Sequence, residues 1–239
     1  MNLAFSILNL KRREDRKQRF EFHHRTNGYN VKNFNWHYGR DGKDYEDKKT
    51  MLAALRECYP ADNKVEIFGN GSLGYYWSCL ELLDAFIAGT PDTEFIYFNQ
   101  DDRHLHLNSA LFERIFNQLA EKDAKFACLK MMWYHETVPK PTFALDSFSF
   151  RPGWFGYGDS GLILNRRAAK KIRDESIQQG EFLEYINKGF AGENGYYTNC
   201  DVTRKSTNRD MFFGLEMSFD SSTYDDIQDR IELNKGEYF

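Results

Sequence analysis

The sequence predicts an α/β fold, a mixed and mainly parallel sheet flanked by helices, and three observations carry that prediction. Short apolar runs, LAFSILNL at residues 3–10 and EFIYF at 94–98, end abruptly in polar residues, as buried strands do. Between such runs lie segments of helical period, clearest at residues 107–122, where Leu107, Leu111, Ile115 and Leu119 recur. Strand and helix alternate through the first half of the chain, which is the pattern of crossover connections. The 239 residues are read as one domain, and 41% hydrophobic with 28% charged residues excludes a disordered or collagen-like chain. A chain of this size buries roughly 70% of its unfolded surface and needs no staples.

The elements follow in order. Residues 3–10 form a strand that passes into a helix beginning in the basic run KRREDRKQRF. Residues 33–37 form a second strand closed by the Gly-Arg-Asp-Gly turn at 39–42, and residues 44–59 have helical composition. Residues 69–74 read as a glycine-rich turn before a helix over 75–88. The strand at 94–98 runs straight into Asn99-Gln100-Asp101-Asp102. Residues 107–122 are a helix, 126–133 a strand, 139–152 a loop, 154–161 a glycine-rich bend, 161–164 a short strand and 168–178 a helix. The last twenty or so residues, rich in Asp and Ser, read as a surface arm.

Charge and cysteine content narrow the function classes. A net charge of −4 argues against binding nucleic acid by bulk charge while leaving room for a local basic groove. The four cysteines, Cys58, Cys79, Cys128 and Cys200, form no CxxC pair. They read as reduced packing residues of a cytoplasmic protein. The apolar start is followed, not preceded, by basic residues, the wrong order for a secretory signal, and no apolar run reaches bilayer length.

Five segments carry chemistry. Asp101 and Asp102 stand at a strand's carboxyl end, where ligands of open α/β sheets collect, and paired carboxylates there suit a hard divalent cation on a diphosphate. The same pair is also what a turn with two solvated acids looks like. Asn9 with Lys11, Arg12, Arg13 and Arg16 at a helix start suits an anion, the alternative being a solvated helix face. The glycines of residues 69–74 allow close backbone approach to a ligand. Residues 154–161, WFGYGDSG, combine small residues with an aromatic wall for a flat or sugar-like substrate. Asp210, before an apolar segment, is either a general base or a helix cap. The six histidines form no metal triad; His104 and His106 share one face if extended.

In this order the segments resemble the lipopolysaccharide-type glycosyltransferases, the family of bacterial lipooligosaccharide and collagen galactosyltransferases. Ser6–Arg16 resembles the family's Ile-Asn-Leu-x-Arg-Arg-x-Asp-Arg start, and Arg40-Asp41-Gly42 falls at its Asp-Gly turn. Gly71–Cys79 resembles Gly-x-x-Gly-Cys-x-x-Ser-His, and residues 94–102 resemble the strand ending in Glu-Asp-Asp. Residues 158–171 resemble Gly-x-x-x-Tyr-x-x-Ser-x-x-Ala-Ala-Lys. Tyr75, Cys79 and Gln100 stand where the family has Cys, His and Glu, so the resemblance is that of a divergent relative.

The resemblance implies a GT-A, Rossmann-like fold, a nucleotide-sugar donor (a UDP-sugar is favoured) and a divalent cation, commonly Mn²⁺, with Mg²⁺ the alternative. Asn9, Leu10, Arg13 and Arg16 would cradle the nucleotide, with Asp41 near base or ribose, Gly74 and Ser78 also at the donor site, and Asp101 and Asp102 on the metal. A base for an inverting reaction would be Asp210, with Asp159 second, by similarity to fringe-like glycosyltransferases. On this view the donor half spans about residues 1–105, the acceptor half about 106–220 and the acidic arm about 220–239. The acceptor would be a glycan, a protein or hydroxylated bases of DNA. The rival from another class is a non-catalytic sugar-nucleotide or carbohydrate-binding module, and a dinucleotide oxidoreductase is disfavoured because no Gly-x-Gly-x-x-Gly follows the first strand.

Overall fold

A computed structural model describes residues 2–60, 69–101, 108–122, 128–132, 143–145, 148–152, 161–179 and 195–199. Among them lie, in chain order, β1 (Leu3–Asn9), α1 (Glu14–Thr26), β2 (Phe34–Tyr38), α2 (Lys48–Cys58), α3 (Asn70–Ala88), β3 (Phe95–Gln100) and α4 (Ser109–Lys122). They are followed by β4 (Cys128–Met132), β5 (Phe143–Leu145), β6 (Phe148–Pro152), β7 (Leu162–Asn165), α5 (Arg166–Gln179) and β8 (Gly195–Asn199). The strands form one sheet in the order β2-β1-β3-β7-β4-β8-β6-β5. β1 runs parallel to β2 and β3, and β4 to β8, while β7 and β6 are antiparallel to their neighbours. The expected α/β class and mixed sheet are therefore present. Among the described residues no helix is long and apolar enough to cross a membrane.

The two faces of the central strands bury different neighbours. Ile7, Phe95, Tyr97 and Ile163 pack with Phe20 of α1 and with Phe112 and Phe116 of α4. Leu8, Ile96, Phe98, Leu162 and Leu164 pack with Met51 and Leu55 of α2, with α3, and with Ala169 and Ile172 of α5. Burial on both faces is why β1 and β3 read as continuous apolar runs and not as alternating ones.

Several boundaries differ from the sequence reading, each for a physical reason. α3 begins at Asn70, so the glycines of residues 69–74 open the helix instead of forming a turn. Gly74 is helical because its missing side chain admits another backbone: a Cβ there would meet the Arg40 carbonyl oxygen at 2.5 Å. α2 begins at Lys48, after Asp47, whose Oδ1 caps the helix by accepting from Thr50 N at 2.7 Å. β3 continues through Gln100, leaving Asp101 as the first residue beyond it. The expected loop at 139–152 contains β5 and β6, paired antiparallel with Phe143 opposite Phe150. The alternation Phe148-Ser149-Phe150-Arg151 was its signal, obscured by flanking prolines. β8 was not anticipated, although Tyr196, Tyr197 and Thr198 are strand formers.

α3 ends against Arg166, the first residue of α5. Its guanidinium donates to the carbonyls of Phe86, Ile87 (2.6 Å), Gly89 (3.3 Å), Thr90 (2.7 Å) and Thr93 (3.2 Å), and stacks on the Phe86 ring at 4.8 Å. Phe86 and Ile87 belong to the last turn of α3, whose carbonyls lack the full set of intrahelical partners, and Gly89, Thr90 and Thr93 to the turn that follows.

Candidate functional site

Parallel pairing of β2, β1 and β3 brings their carboxyl ends to one edge of the sheet. Asn9 lies opposite Tyr38, and Leu8 opposite Gln100. Each ladder extends one bond further: Gly39 N donates to Asn9 O at 2.8 Å and Asp101 N to Leu8 O at 3.0 Å. The turn after β1, closed by Arg13 N donating to Leu10 O at 2.7 Å, leads into α1 at the same edge. Sequence positions 9, 41 and 101 thus become neighbours.

The side chains there are mostly buried and polar. Asn9, 2% exposed, donates from Nδ2 to Asp101 Oδ2 at 2.8 Å and to Arg13 O at 3.2 Å. Arg16 and Asp101, each 6% exposed, face one another, with Arg16 Nη1 3.9 Å from Asp101 Oδ1. Asp41 accepts from Arg12 Nε through Oδ2 and from Lys43 N, at 3.0 Å, through Oδ1. The Arg13 guanidinium lies on Asp15 at 2.9–3.0 Å, and that hydrogen bond holds the Asp15 carboxyl at about 2, below the usual carboxylate range. Three arginines thus alternate with three carboxylates, around a turn whose backbone and cationic side chains suit an anion.

The expected donor residues divide in two. Asn9, Leu10, Arg13, Arg16 and Asp41 are gathered at this edge. Gly74 and Ser78 stand behind it and fix the Gly39–Gly42 loop. Ser78 Oγ donates to Gly74 O at 2.6 Å and accepts from Arg40 N at 2.7 Å, while a Cβ on Gly39 would meet Ser78 Oγ at 2.5 Å. The loop is held outside as well, where Arg40 bonds Glu81 at 2.6 Å and stacks over Trp77 at 4.7 Å. Asp102, Asp159, Asp210, His104 and His106 lie outside the described residues.

Sequence reasoning missed Tyr38 and Lys17. Tyr38 is 47% exposed at the tip of β2, and Lys17 Nζ donates to its hydroxyl at 3.2 Å while lying 5.4 Å from the centre of the Trp36 ring. The alternation Phe34-x-Trp36-x-Tyr38 could have placed Tyr38 on the Trp36 face.

The described side chains do not by themselves fit a divalent cation. Among them no three His, Cys, Asp or Glu gather as a metal site. Asp101 is the one expected metal ligand described, and its charge is already answered by Arg16 and Asn9.

On the other face of β2, burial and the nearby Arg40 hold the His37 imidazole below its ordinary pKa, against an opposing pull from Glu81. His37 Nε2 is buried with no hydrogen-bond partner among the described residues. The unfolded chain therefore takes up this proton first as pH falls. Stability attributable to a neutral His37 is intact above about pH 6.5 and is lost as pH drops toward the depressed native value. In thermal melts from pH 7.5 to 5, the wild-type midpoint should fall more steeply than that of His37→Gln; parallel curves would refute this.

No protein-family model matches the chain, and no curated protein matches it.

Proposed function

We propose that the chain is a glycosyltransferase that moves a sugar from a nucleotide-sugar donor, a UDP-sugar in the first instance, to an acceptor hydroxyl. The observation that carries this reading is the convergence of Asn9, Arg12, Arg13, Arg16 and Asp41 at the carboxyl edge of β2, β1 and β3. Four of these residues lie in the single run 9–16, Asp41 joins them from the loop after β2, and all are of the right chemistry for a nucleoside diphosphate. In open α/β sheets this edge is where such ligands bind. The Arg13 side chain and the N–H groups of Lys11 and Arg12 within the turn would take the diphosphate, with Asp41 accepting from ribose or base. Asp210 is proposed as the base that deprotonates the acceptor, with Asp159 second; glycan, protein and hydroxylated DNA are its candidate acceptors. Any cation, Mn²⁺ before Mg²⁺, falls in this proposal to Asp102 and groups beyond the described residues.

The test is a thermal-shift panel of UDP-, GDP-, CMP- and dTDP-sugars with and without Mn²⁺. A true donor at a hundredfold its Kd should stabilise the native state by about 2.7 kcal/mol. A panel without any shift would defeat the proposal. With a donor in hand, Asp210→Asn should lower turnover by about 10²–10⁴-fold.

A further inference from the structure

We propose that Asp101 is a positioning residue and not a cation ligand: its buried carboxylate holds Asn9 and Arg16, and through them seats the Leu10–Arg13 turn against the tip of β3. The clamp depends on the nucleotide-sugar reading only for what that turn binds.

Three observations support it. First, the carboxylate is nearly inaccessible and its charge is compensated from within: Asp101 is 6% exposed, Asn9 Nδ2 lies 2.8 Å from Oδ2, and Arg16 Nη1 lies 3.9 Å from Oδ1. A buried carboxylate needs such partners, and a cation on it would stand beside a guanidinium. Second, the carboxylate dictates the Asn9 amide orientation. Asn9 Oδ1 is buried without a hydrogen-bond partner among the described residues, yet rotating the amide would turn that oxygen toward an acceptor-only group. Third, the connected groups belong to three different elements. Asn9 ends β1, Asp101 follows β3 and Arg16 lies in the first turn of α1, while the second Asn9 bond fixes Arg13 O at 3.2 Å. One carboxylate therefore registers two strand tips and a helix start.

The acidic pair divides its work accordingly. Asp101 turns its charge inward to build the turn, and a cation role is left to Asp102.

The experiment uses the full chain with UDP and Mn²⁺ as probes. In metal-free buffer, Asp101→Asn removes the carboxylate facing the buried Arg16 charge and accepting from Asn9, and should lower Tm by about 6 °C or more. Arg16→Met should also lower Tm, and the double variant by less than the sum. By calorimetry, Asp101→Asn should weaken UDP binding equally with and without Mn²⁺, keeping the wild-type Mn²⁺ increment. Asp102→Asn should remove that increment and leave the metal-free Tm within about 2 °C. The proposal is overturned if Asp101→Asn keeps the wild-type metal-free Tm, or if it loses only the Mn²⁺ increment. Should Asp101→Asn not fold, Arg16→Lys replaces it, a lowered metal-free Tm supporting the clamp and an unchanged one overturning it. A wild-type chain that binds UDP in neither buffer defeats the glycosyltransferase reading and leaves the Tm arms to decide the clamp.

Discussion

Arg166→Met should lower the thermal midpoint by about 6–12 °C, equivalent to about 3 kcal/mol for a chain of this length. One guanidinium collects five backbone carbonyls between Phe86 and Thr93, the stretch that ends α3 and turns the chain into β3. Methionine keeps much of the stem and its packing on Phe86 but supplies no donor. The carbonyls then turn to water where they can and remain unpaired where they cannot, and hydrogen bonds to a charged group contribute about 1.5–3 kcal/mol each before partial compensation. Because two of these contacts are exposed and the others only partly buried, the total stays well below five such bonds. Arg166→Lys should recover less than half of the loss, since one ammonium cannot span the fork. A shift below about 2 °C in a reversible melt would show that α3 ends without this residue.

Gly74→Val should cost about 3 kcal/mol and weaken UDP binding at least tenfold, about 1.4 kcal/mol. A Cβ at Gly74 meets the Arg40 carbonyl oxygen at 2.5 Å and Met51 Cε at 3.1 Å, and the closer contact is backbone that cannot rotate aside. The Gly39–Gly42 loop must lift from α3, taking Asp41 from Arg12 and Arg40 N from Ser78. Gly69→Ala is the control, because a Cβ there meets nothing within 4 Å; it should change stability by no more than about 0.5 kcal/mol. A Gly74→Val protein that binds UDP like wild type would separate the loop from the proposed donor site.

The same glycine shows what the sequence discloses and what it hides. Residues 69–74 look like a turn because glycine opposes helix locally, whereas Gly74 serves a contact with Arg40, 34 positions earlier, that no window contains. β1 and β3 were legible because burial on both faces leaves an unbroken apolar run. β6 was harder, its alternation confined to a few residues between prolines. In the site, the run Asn9 to Arg16 and Asp101 after β3 could be read directly. Their connection could not: nothing in the spacing of residues 9, 16 and 101 announces that one amide and one guanidinium face the Asp101 carboxylate.

The sheet also works as a partition wall. Among the described residues, the mainly aromatic slab beneath α1 and α4 and the leucine-rich slab beneath α2, α3 and α5 form separate clusters on opposite faces of the strands. Losses introduced on opposite sides should therefore sum without interaction. The protein can be re-engineered one compartment at a time, with the carboxyl edge of β2, β1 and β3 as the seam where both compartments meet.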